Sequence, residues 1–515
     1  MKRILIQLSI LLFFVLPSFS QKASECLDLQ ELDGYILKSM QDWRIPGLSI
    51  AIVKNDTVIH AKGYGVRDIN RADPVDAHTL FAIASNTKAF TASAIAVLVD
   101  EAKISWDDRV KDYLPWFELY DPYVSEEMRI RDLLCHRSGL KTFSGDLLWY
   151  GTKYSREEVI KRAKYLIPAH GFRYGYGYSN IMFLTAGEII PVIEKTSWDQ
   201  YIEKKFFDPL GMSETTTTTR GLGSSGNVAQ PHYVGDTTEK TITIPYVNWD
   251  NIGPAGSIIS NAWDISRWIR FQLNNGKWDG QQIISEQRIW EMRKIQIFLG
   301  MNRNTGNYRP NSHFRGYGMG WSVRDYHGII IISHGGGADG MISEVTMVPE
   351  ENFGFVILTN SSNYLPSALA EYILDRYFKA HVTDWSRLYL DSFLKNKERL
   401  KQKEIEFAGN RVMGTRPSLS LDRYEGIYGG EIYGNAEVFL QNDELKINFL
   451  PTPVFSGTLT HWHYDIFRIK IDNIPSLPEG TVQFIIGTDG NIEEMKIDIP
   501  NPDFDFTELE FKRKI

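Results

Sequence analysis

Residues 89–102 are apolar on nearly every side. A helix with no polar face has to be enclosed by protein on all sides. A chain that carries one must therefore build a domain with a deep core. Its 515 residues allow that, at about 100–200 residues per domain and two to four units in all. Hydrophobic residues at 43% and charged residues at 23% match an ordinary globular protein, which excludes global disorder, collagen and coiled coil. A net charge of −8 repels phosphate backbones and excludes nucleic acid as a partner. Two cysteines, Cys26 and Cys135, exclude a disulfide-rich scaffold and any cysteine-based zinc cluster.

The chain opens with Lys2 and Arg3, then an apolar run over residues 4–16 broken only by Gln7 and Ser9. Ser18 and Ser20 place small residues at −3 and −1 before Gln21. This order of charged, apolar and small-residue segments predicts a signal peptide over residues 1–20. The run is about 13 residues where a membrane span needs about 20, and no later stretch reaches about 18. The expectation is an exported protein, periplasmic or secreted, with no membrane span after cleavage. Removing Lys2 and Arg3 takes its charge from −8 to −10. Cys26 follows Glu25, well past the apolar run, and does not read as a lipidation site. An oxidising compartment permits a disulfide. The sequence leaves open whether Cys26 and Cys135 pair or remain separate thiols.

Residues 27–383 have a mixed α and β texture. Residues 48–53 read as a buried strand, 54–56 as a turn and 58–63 as the returning strand of a hairpin. Ser105-Trp106-Asp107-Asp108 has a capping-box pattern that predicts a new helix start. Residues 214–244 read as loop, 261–273 as an amphipathic helix, and 329–333 and 354–359 as short strands. Residues 384–420 hold a dense charge run at 395–406, read as a solvated helical linker. From 421 to 515 the period becomes two. Ala436, Val438 and Leu440 alternate with polar or outward positions, as do Leu445, Ile447 and Phe449. Turn residues at Asn442-Asp443 and Thr488-Asp489-Gly490-Asn491 separate short strands, as in a small antiparallel barrel.

Three dispersed motifs carry chemistry. Ser85-Asn86-Thr87-Lys88 lies just before the apolar helix. Residues three apart share a helix face, so Lys88 stands one turn above Ser85. A serine hydroxyl needs a base to become a nucleophile. A buried lysine, with its charged form disfavoured, can be that base. The helix start also aims free N–H groups at the place where an oxyanion forms. Ser138…Lys141 and Ser392…Lys395 share the spacing, but neither opens a long apolar helix. Tyr178-Ser179-Asn180 is matched by Tyr246-Val247-Asn248 and Tyr433-Gly434-Asn435. His334-Gly335-Gly336-Gly337, placed after the strand at 329–333, holds the one H-x-G in the chain. His461 and His463 share a face of a predicted strand, with no third ligand in view to make a metal site.

Taken in order, S-x-x-K, Y-x-N and H-x-G resemble the penicillin-recognising serine hydrolases. Residues from about 30 to 380 resemble the class C β-lactamase-like serine hydrolase family, which includes DD-carboxypeptidases, D-aminopeptidases and carboxylesterases. Three further segments support the likeness: Leu133-Leu134-Cys135-His136-Arg137-Ser138-Gly139-Leu140, Pro254-Ala255-Gly256-Ser257 and Tyr317-Gly318-Met319-Gly320-Trp321. Residues from about 421 to 515 are similar to the lipocalin-like barrel of some members. The resemblance implies an α+β fold, an antiparallel sheet flanked by helices with a helical subdomain, followed by a small all-β barrel. It implies Ser85 as nucleophile, with Lys88 and Tyr178 sharing the base and acid work, the tyrosine as phenolate or through the lysine. It implies that Asn180 holds Lys88 and substrate, and that the N–H groups of Ser85 and Gly337 form an oxyanion hole. His334 and Gly336 line the strand where substrate lies, with His334 supporting Tyr178 or the leaving group. No cofactor or metal is implied.

The implied reaction is hydrolysis of a peptide, amide or ester bond in a small-molecule or peptide substrate. A silent envelope binding protein that keeps the fold is one alternative, and a true β-lactamase is another. The β-lactamases of this group carry K-T-G where this chain has His334-Gly335-Gly336. Losing charge-assisted bonds worth about 1.5–3 kcal/mol each weakens the grip on a carboxylate and argues against efficient β-lactam hydrolysis. The run Phe172-Arg173-Tyr174-Gly175-Tyr176-Gly177-Tyr178 suggests a partly apolar wall beside the site.

Overall fold

The computed structural model describes residues 27–222, 226–234, 240–301, 312–380, 383–472 and 474–514. The expected signal peptide and Cys26 lie outside these residues.

The hairpin forms as expected. Strands β1 (Gly47–Lys54) and β2 (Thr57–Gly65) join through Asn55 and Asp56, at φ 49° and 60°. Two left-handed residues give the turn the twist that a tight hairpin requires. The chain returns to this sheet only near residue 297, as β3 (Ile297–Met301), β4 (Phe314–Tyr317), β5 (Ser322–Tyr326), β6 (Ile329–Ala338), β7 (Met341–Val348) and β8 (Phe353–Thr359). The order is β2-β1-β8-β7-β6-β5-β4-β3, antiparallel between every pair of neighbours.

Among the described residues, the longest helices are α1 (Leu29–Trp43), α2 (Thr87–Asp100), α3 (Asn180–Glu194), α4 (Ala262–Leu273), α5 (Leu365–Tyr377) and α6 (Trp385–Gly409). Central strands β1 and β8 are buried on both faces, which explains their continuous apolar runs. Leu48, Ile50, Ile52, Phe355 and Ile357 share one core with residues of α1 and α5. Ala51, Val53, Val356 and Leu358 belong to the other core, with α2 and α4. In α2 every residue from Thr87 to Val99 is buried. Phe90 stacks on Trp268 of α4 at 3.8 Å and meets Phe206 and Phe207 edge-on. The apolar helix is thus the spine of the helical subdomain inserted between β2 and β3.

Two local expectations differ from the structure. Ser105 to Asp108 forms a turn, closed by the Ser105 N–H donating to Asp108, and the helix starts later, as the single turn Val110–Tyr113. The backbone groups a helix would need are already used: the N–H groups of Ile130 and Arg131 donate to the carbonyls of Asp108 and Trp106. The strand read over 329–333 also runs further than expected. It continues as β6 to Ala338, because His334 through Ala338 pair residue by residue with β7.

The last hundred residues form a closed antiparallel barrel: β9 (Gly426–Gly430), β10 (Gly434–Gln441), β11 (Glu444–Phe449), β12 (Ser456–His463), β13 (Ile466–Ile471), β14 (Gly480–Ile486), β15 (Ile492–Asp498) and β16 (Lys512–Arg513). Each strand pairs with the next, and β16 closes on β9. Ala436, Val438, Leu445, Ile447 and Phe449 fill its interior, as the period of two requires. Asn442 and Asp443 make the left-handed turn between β10 and β11. A bulge at Trp462 pairs His461 with Phe467 and His463 with the adjacent Ile466, so the two histidines face opposite ways. His461 contacts the Tyr464 carbonyl and His463 accepts the Val412 N–H.

The charged segment is the outer stretch of α6, which spans both units. Its first turns are buried, where Trp385 donates to Asp375 at 2.7 Å and Ser386 accepts from Trp43 at 3.1 Å. Its last turns meet the barrel through Phe407 stacked on Trp462 and Glu404 paired with Arg468 at 2.7 Å. Among the described residues, no helix is long and apolar enough to cross a membrane.

Candidate active site

Ser85 sits in the turn Ala84–Asn86, immediately ahead of α2. Ala84 holds φ at 45°, a strained value for a residue with a Cβ. The i, i+3 spacing then sets Lys88 one turn into α2, where it is fully buried. The Lys88 amine lies 3.0 Å from Ser85 Oγ, 2.7 Å from Asn180 Oδ1 and 2.8 Å from the Ala255 carbonyl. Ala255 belongs to the short helical turn Gly253–Gly256, part of the P-A-G-S segment. Burial pushes the Lys88 amine down to about 7, with the Asp146 charge pulling the other way.

The second motif arrives on α3. Ser179 caps this helix, its side chain accepting the Met182 N–H, and Asn180 is the first helical residue. The Tyr178 hydroxyl is hydrogen-bonded to Ser85, and its ring stands 4.7 Å from the Lys88 amine. Burial raises the Tyr178 phenol well above its ordinary range, so the structure holds it neutral. Asn180 donates through Nδ2 to Asp146 Oδ2 at 2.7 Å, which fixes Oδ1 toward Lys88. Trp149 Nε1 donates to the other Asp146 oxygen at 2.8 Å. Burial pushes Asp146 up to about 7, while these two donors favour its charged form.

The third motif forms the facing wall. β5 pairs with β6 only as far as Ser333, so from His334 onward that edge of β6 is open toward the Ser85 turn. A Cβ at Gly336 would meet Ile83 O at 2.2 Å, Ser343 Oγ at 2.5 Å and Ser85 N at 3.0 Å. Only glycine lets the strand lie this close to the serine. A Gly336→Ala variant is expected to lose about 1–3 kcal/mol of stability, read as a lower denaturation midpoint. An unshifted midpoint with wild-type activity would contradict that packing. His334 is buried and neutral, held down to about 3 by burial and by the nearby Lys88. Its Nδ1–H donates to the Gly335 carbonyl at 2.7 Å, and Nε2 accepts from the Tyr317 hydroxyl at 3.0 Å. His334 therefore bonds Tyr317 rather than Tyr178, whose ring is 6.2 Å away.

The profile of the beta-lactamase family matches residues 32–378. The chain belongs to the beta-lactamase family. Residues 410–513 match a domain of unknown function, DUF3471. Among curated proteins, the "Unguisins hydrolase ungD'" of Aspergillus campestris is 27% identical over 433 residues, 81% of this chain and 78% of its own. "Protein flp" of Staphylococcus aureus is 30% identical over 345 residues, 65% of this chain and 64% of its own. The octameric penicillin-binding protein homologue from Pyrococcus abyssi has the same fold, with TM-score 0.60 and 22% identity over 95% of this chain and 100% of its own. D-amino acid amidase from Ochrobactrum anthropi aligns with TM-score 0.54 and 22% identity, over 68% of this chain and 98% of its own.

In this beta-lactamase family member the other copies of the motifs lie elsewhere. Ser138 accepts the Leu140 N–H within a turn, and Lys141 pairs with Asp505 of the barrel at 2.6 Å. Ser392 and Lys395 are on α6. Tyr246 donates to the Ala229 carbonyl, and Tyr433 is buried in the barrel. Cys135 is a buried free thiol, pushed up to about 12 by burial, and its Sγ donates to the Asp132 carbonyl. Among the described residues no cluster of His, Cys, Asp or Glu could hold a metal.

The cleft over Ser85 holds about 680 Å³. Tyr178, Phe143, Trp149 and Tyr150 give it an aromatic side, while Tyr174 of the tyrosine run is exposed and away from it. Its roof comes from the barrel: Leu477 and residues 501–504 line it, with Phe504 packed at 4.6 Å on Tyr150. No lysine or arginine lines it among the described residues, whereas Asp339 and Asp503 do. Sequence reasoning did not find Asp146, the Ala255 carbonyl, His136 or Tyr317. The His136 Nδ1 accepts the Ser179 N–H at 3.0 Å, and its ring lies 4.2 Å from that of Tyr178, so it steadies the Y-S-N turn. Only a lone Asp in the apolar stretch Gly145-Asp146-Leu147-Leu148-Trp149 hinted at a buried carboxylate, and it reads equally well as a surface turn.

Proposed function

We propose that this beta-lactamase family member is an exported serine hydrolase that cleaves ester, amide or peptide bonds through an acyl-enzyme on Ser85. The observation that carries the reading is the surroundings of Lys88. A neutral amine has two N–H donors and one lone pair. Asn180 Oδ1 and the Ala255 carbonyl can only accept, so they occupy the two donors. The lone pair is left facing the Ser85 hydroxyl at 3.0 Å. Burial keeps enough of the amine neutral near pH 7 for this to be the working form.

In acylation, Lys88 takes the Ser85 proton as Oγ bonds to the substrate carbonyl carbon. The oxyanion faces the N–H groups of Ser85 and Gly337. When the intermediate collapses, the bond to the leaving group breaks. Tyr178 donates its hydroxyl proton to that group and regains one from Lys88. Water then attacks the ester by the same route in reverse, freeing Ser85 and the acid product. Asn180 orients Lys88 throughout, and His334 and Gly336 shape the wall along which substrate lies.

The substrate side follows from charge. Both nitrogens of His334 are already engaged and the ring is neutral, so nothing in H-G-G replaces the cation of K-T-G. With Asp339 and Asp503 on the wall, the cleft favours neutral or amine-bearing substrates over carboxylates. A panel of p-nitrophenyl esters, D-amino-acid amides, D-Ala-D-Ala peptides and nitrocefin tests this. Short-chain esters and amino-acid amides are expected to exceed the two carboxylate-bearing substrates at least 10-fold in kcat/KM. Robust nitrocefin turnover would refute the charge argument. No turnover of any ester, with no covalent labelling by a fluorophosphonate, would refute the hydrolase reading.

A further inference from the structure

The barrel reaches the catalytic lysine through two sets of hydrogen bonds joined by the backbone of one turn. Glu508, in the short segment after β15, accepts from Ser144 Oγ at 2.5 Å and from the Gly145 N–H at 2.9 Å. The same turn carries Asp146, whose two oxygens accept from Trp149 and Asn180, and Asn180 in turn accepts from Lys88. Glu508 thus grips the residues immediately before a buried carboxylate, and that carboxylate orients the amide that orients the base. Glu508 is not among the residues lining the cleft, and Asp146, which does line it, gives its two oxygens to Trp149 and Asn180 rather than to Ser85. We propose that Asp146 and the barrel's Glu508 are positioning residues of the catalytic site, Glu508 fixing the turn and Asp146 fixing Asn180 and supplying the counter-charge that Lys88 needs once it has taken the serine proton.

The charge argument is local. A proton moving from Ser85 to Lys88 creates an ammonium in a dry site, and a buried anion one side chain away stabilises it. The other titratable groups around Lys88 are Tyr178, His136 and His334, and all three are held neutral by burial. Asp146 also faces Asp503 of the barrel, and Glu508 faces Lys141 and Asp505. Among these groups, Asp146 is the anion whose charge raises Lys88.

This inference rests on the hydrolase reading, so its test uses the rate at which a fluorophosphonate labels Ser85, which needs no knowledge of the substrate. In the full-length protein, Asp146→Asn is expected to slow labelling at pH 8 by about 100-fold. Its acidic limb should move down by about one pH unit, because removing the anion lowers the Lys88 pKa. Glu508→Gln keeps a single acceptor for its two donors. It is expected to slow labelling about 10-fold, to move the limb in the same direction, and to leave the melting temperature within a few degrees. Adding Glu508→Gln to Asp146→Asn should cost little more, since both act along one path. Wild-type rates in both folded variants would overturn the proposal, and so would slower labelling with an unmoved limb, the mark of a merely structural role. Fully additive losses in the double variant would overturn the link from the barrel. A wild-type protein that is not labelled at all would overturn the hydrolase reading itself, and this inference with it.

Discussion

Ser85→Ala is expected to lower turnover of the best ester in the panel by on the order of 10⁵-fold and to abolish labelling by a fluorophosphonate. The loss is this large because the whole acylation route ends at one oxygen. Lys88, Asn180 and the Ala255 carbonyl are arranged around the Ser85 hydroxyl, and without it the Lys88 lone pair has no proton to take. The variant should fold, since Ser85 is only partly buried and alanine adds nothing to the turn. Retained binding of a slow substrate, measured calorimetrically beside the lost turnover, would separate loss of chemistry from loss of structure. Labelling that persists in Ser85→Ala would place the nucleophile elsewhere.

Lys88→Arg is expected to lower kcat/KM by about 10³- to 10⁴-fold and to remove the acidic limb of its pH profile. In the wild type, the Lys88 amine titrates at about 7. It is charged below that value and neutral above it, so kcat/KM should rise with pH through about 7 and level off as the neutral base fills. A guanidinium stays protonated throughout this range and cannot take the proton from Ser85. The larger head group also has no room in a fully buried site. Steady-state kinetics from pH 5 to 9 with an uncharged ester checks both points. A limb near 10 in the wild type would move the base from Lys88 to Tyr178, which then would act as a phenolate. The neutral, buried phenol seen beside Ser85 argues for the lysine.

The parts of the site that were legible in the sequence are those fixed by local periodicity. Ser85 and Lys88 meet because residues three apart in a helix share a face, and the apolar run that follows announces that the face is buried. Asn180 was legible through the Y-x-N triad and the family likeness; that it opens a helix capped by Ser179 came from the structure. The H-G-G-G run was legible as a place of close approach along a strand, but the strand was read to end at Ser333, five residues short of Ala338. Glycine is usually poor in strands, and only the pairing with β7 makes this one extend to Ala338. The turn at Ser105 misled for a similar reason: its capping bond forms within the turn, but the carbonyls of Trp106 and Asp108 are taken by Arg131 and Ile130, so the helical turn begins only at Val110.

From sequence alone came the helix that must be enclosed, the i, i+3 serine and lysine, the barrel's period of two, and the likeness to the beta-lactamase family. Each is a matter of spacing along the chain, which a sequence states outright. Tertiary structure alone decided which acceptors take the two lysine protons, where the buried carboxylate of Asp146 stands, and that a barrel several hundred residues away roofs the cleft. Those are contacts between segments distant in the chain, and their partners are selected by how the sheet, the helical subdomain and the barrel pack. The buried helix therefore did more than demand a core. By placing Lys88 inside that core, it let desolvation lower the amine's pKa, which is what the proposed hydrolase requires of its base.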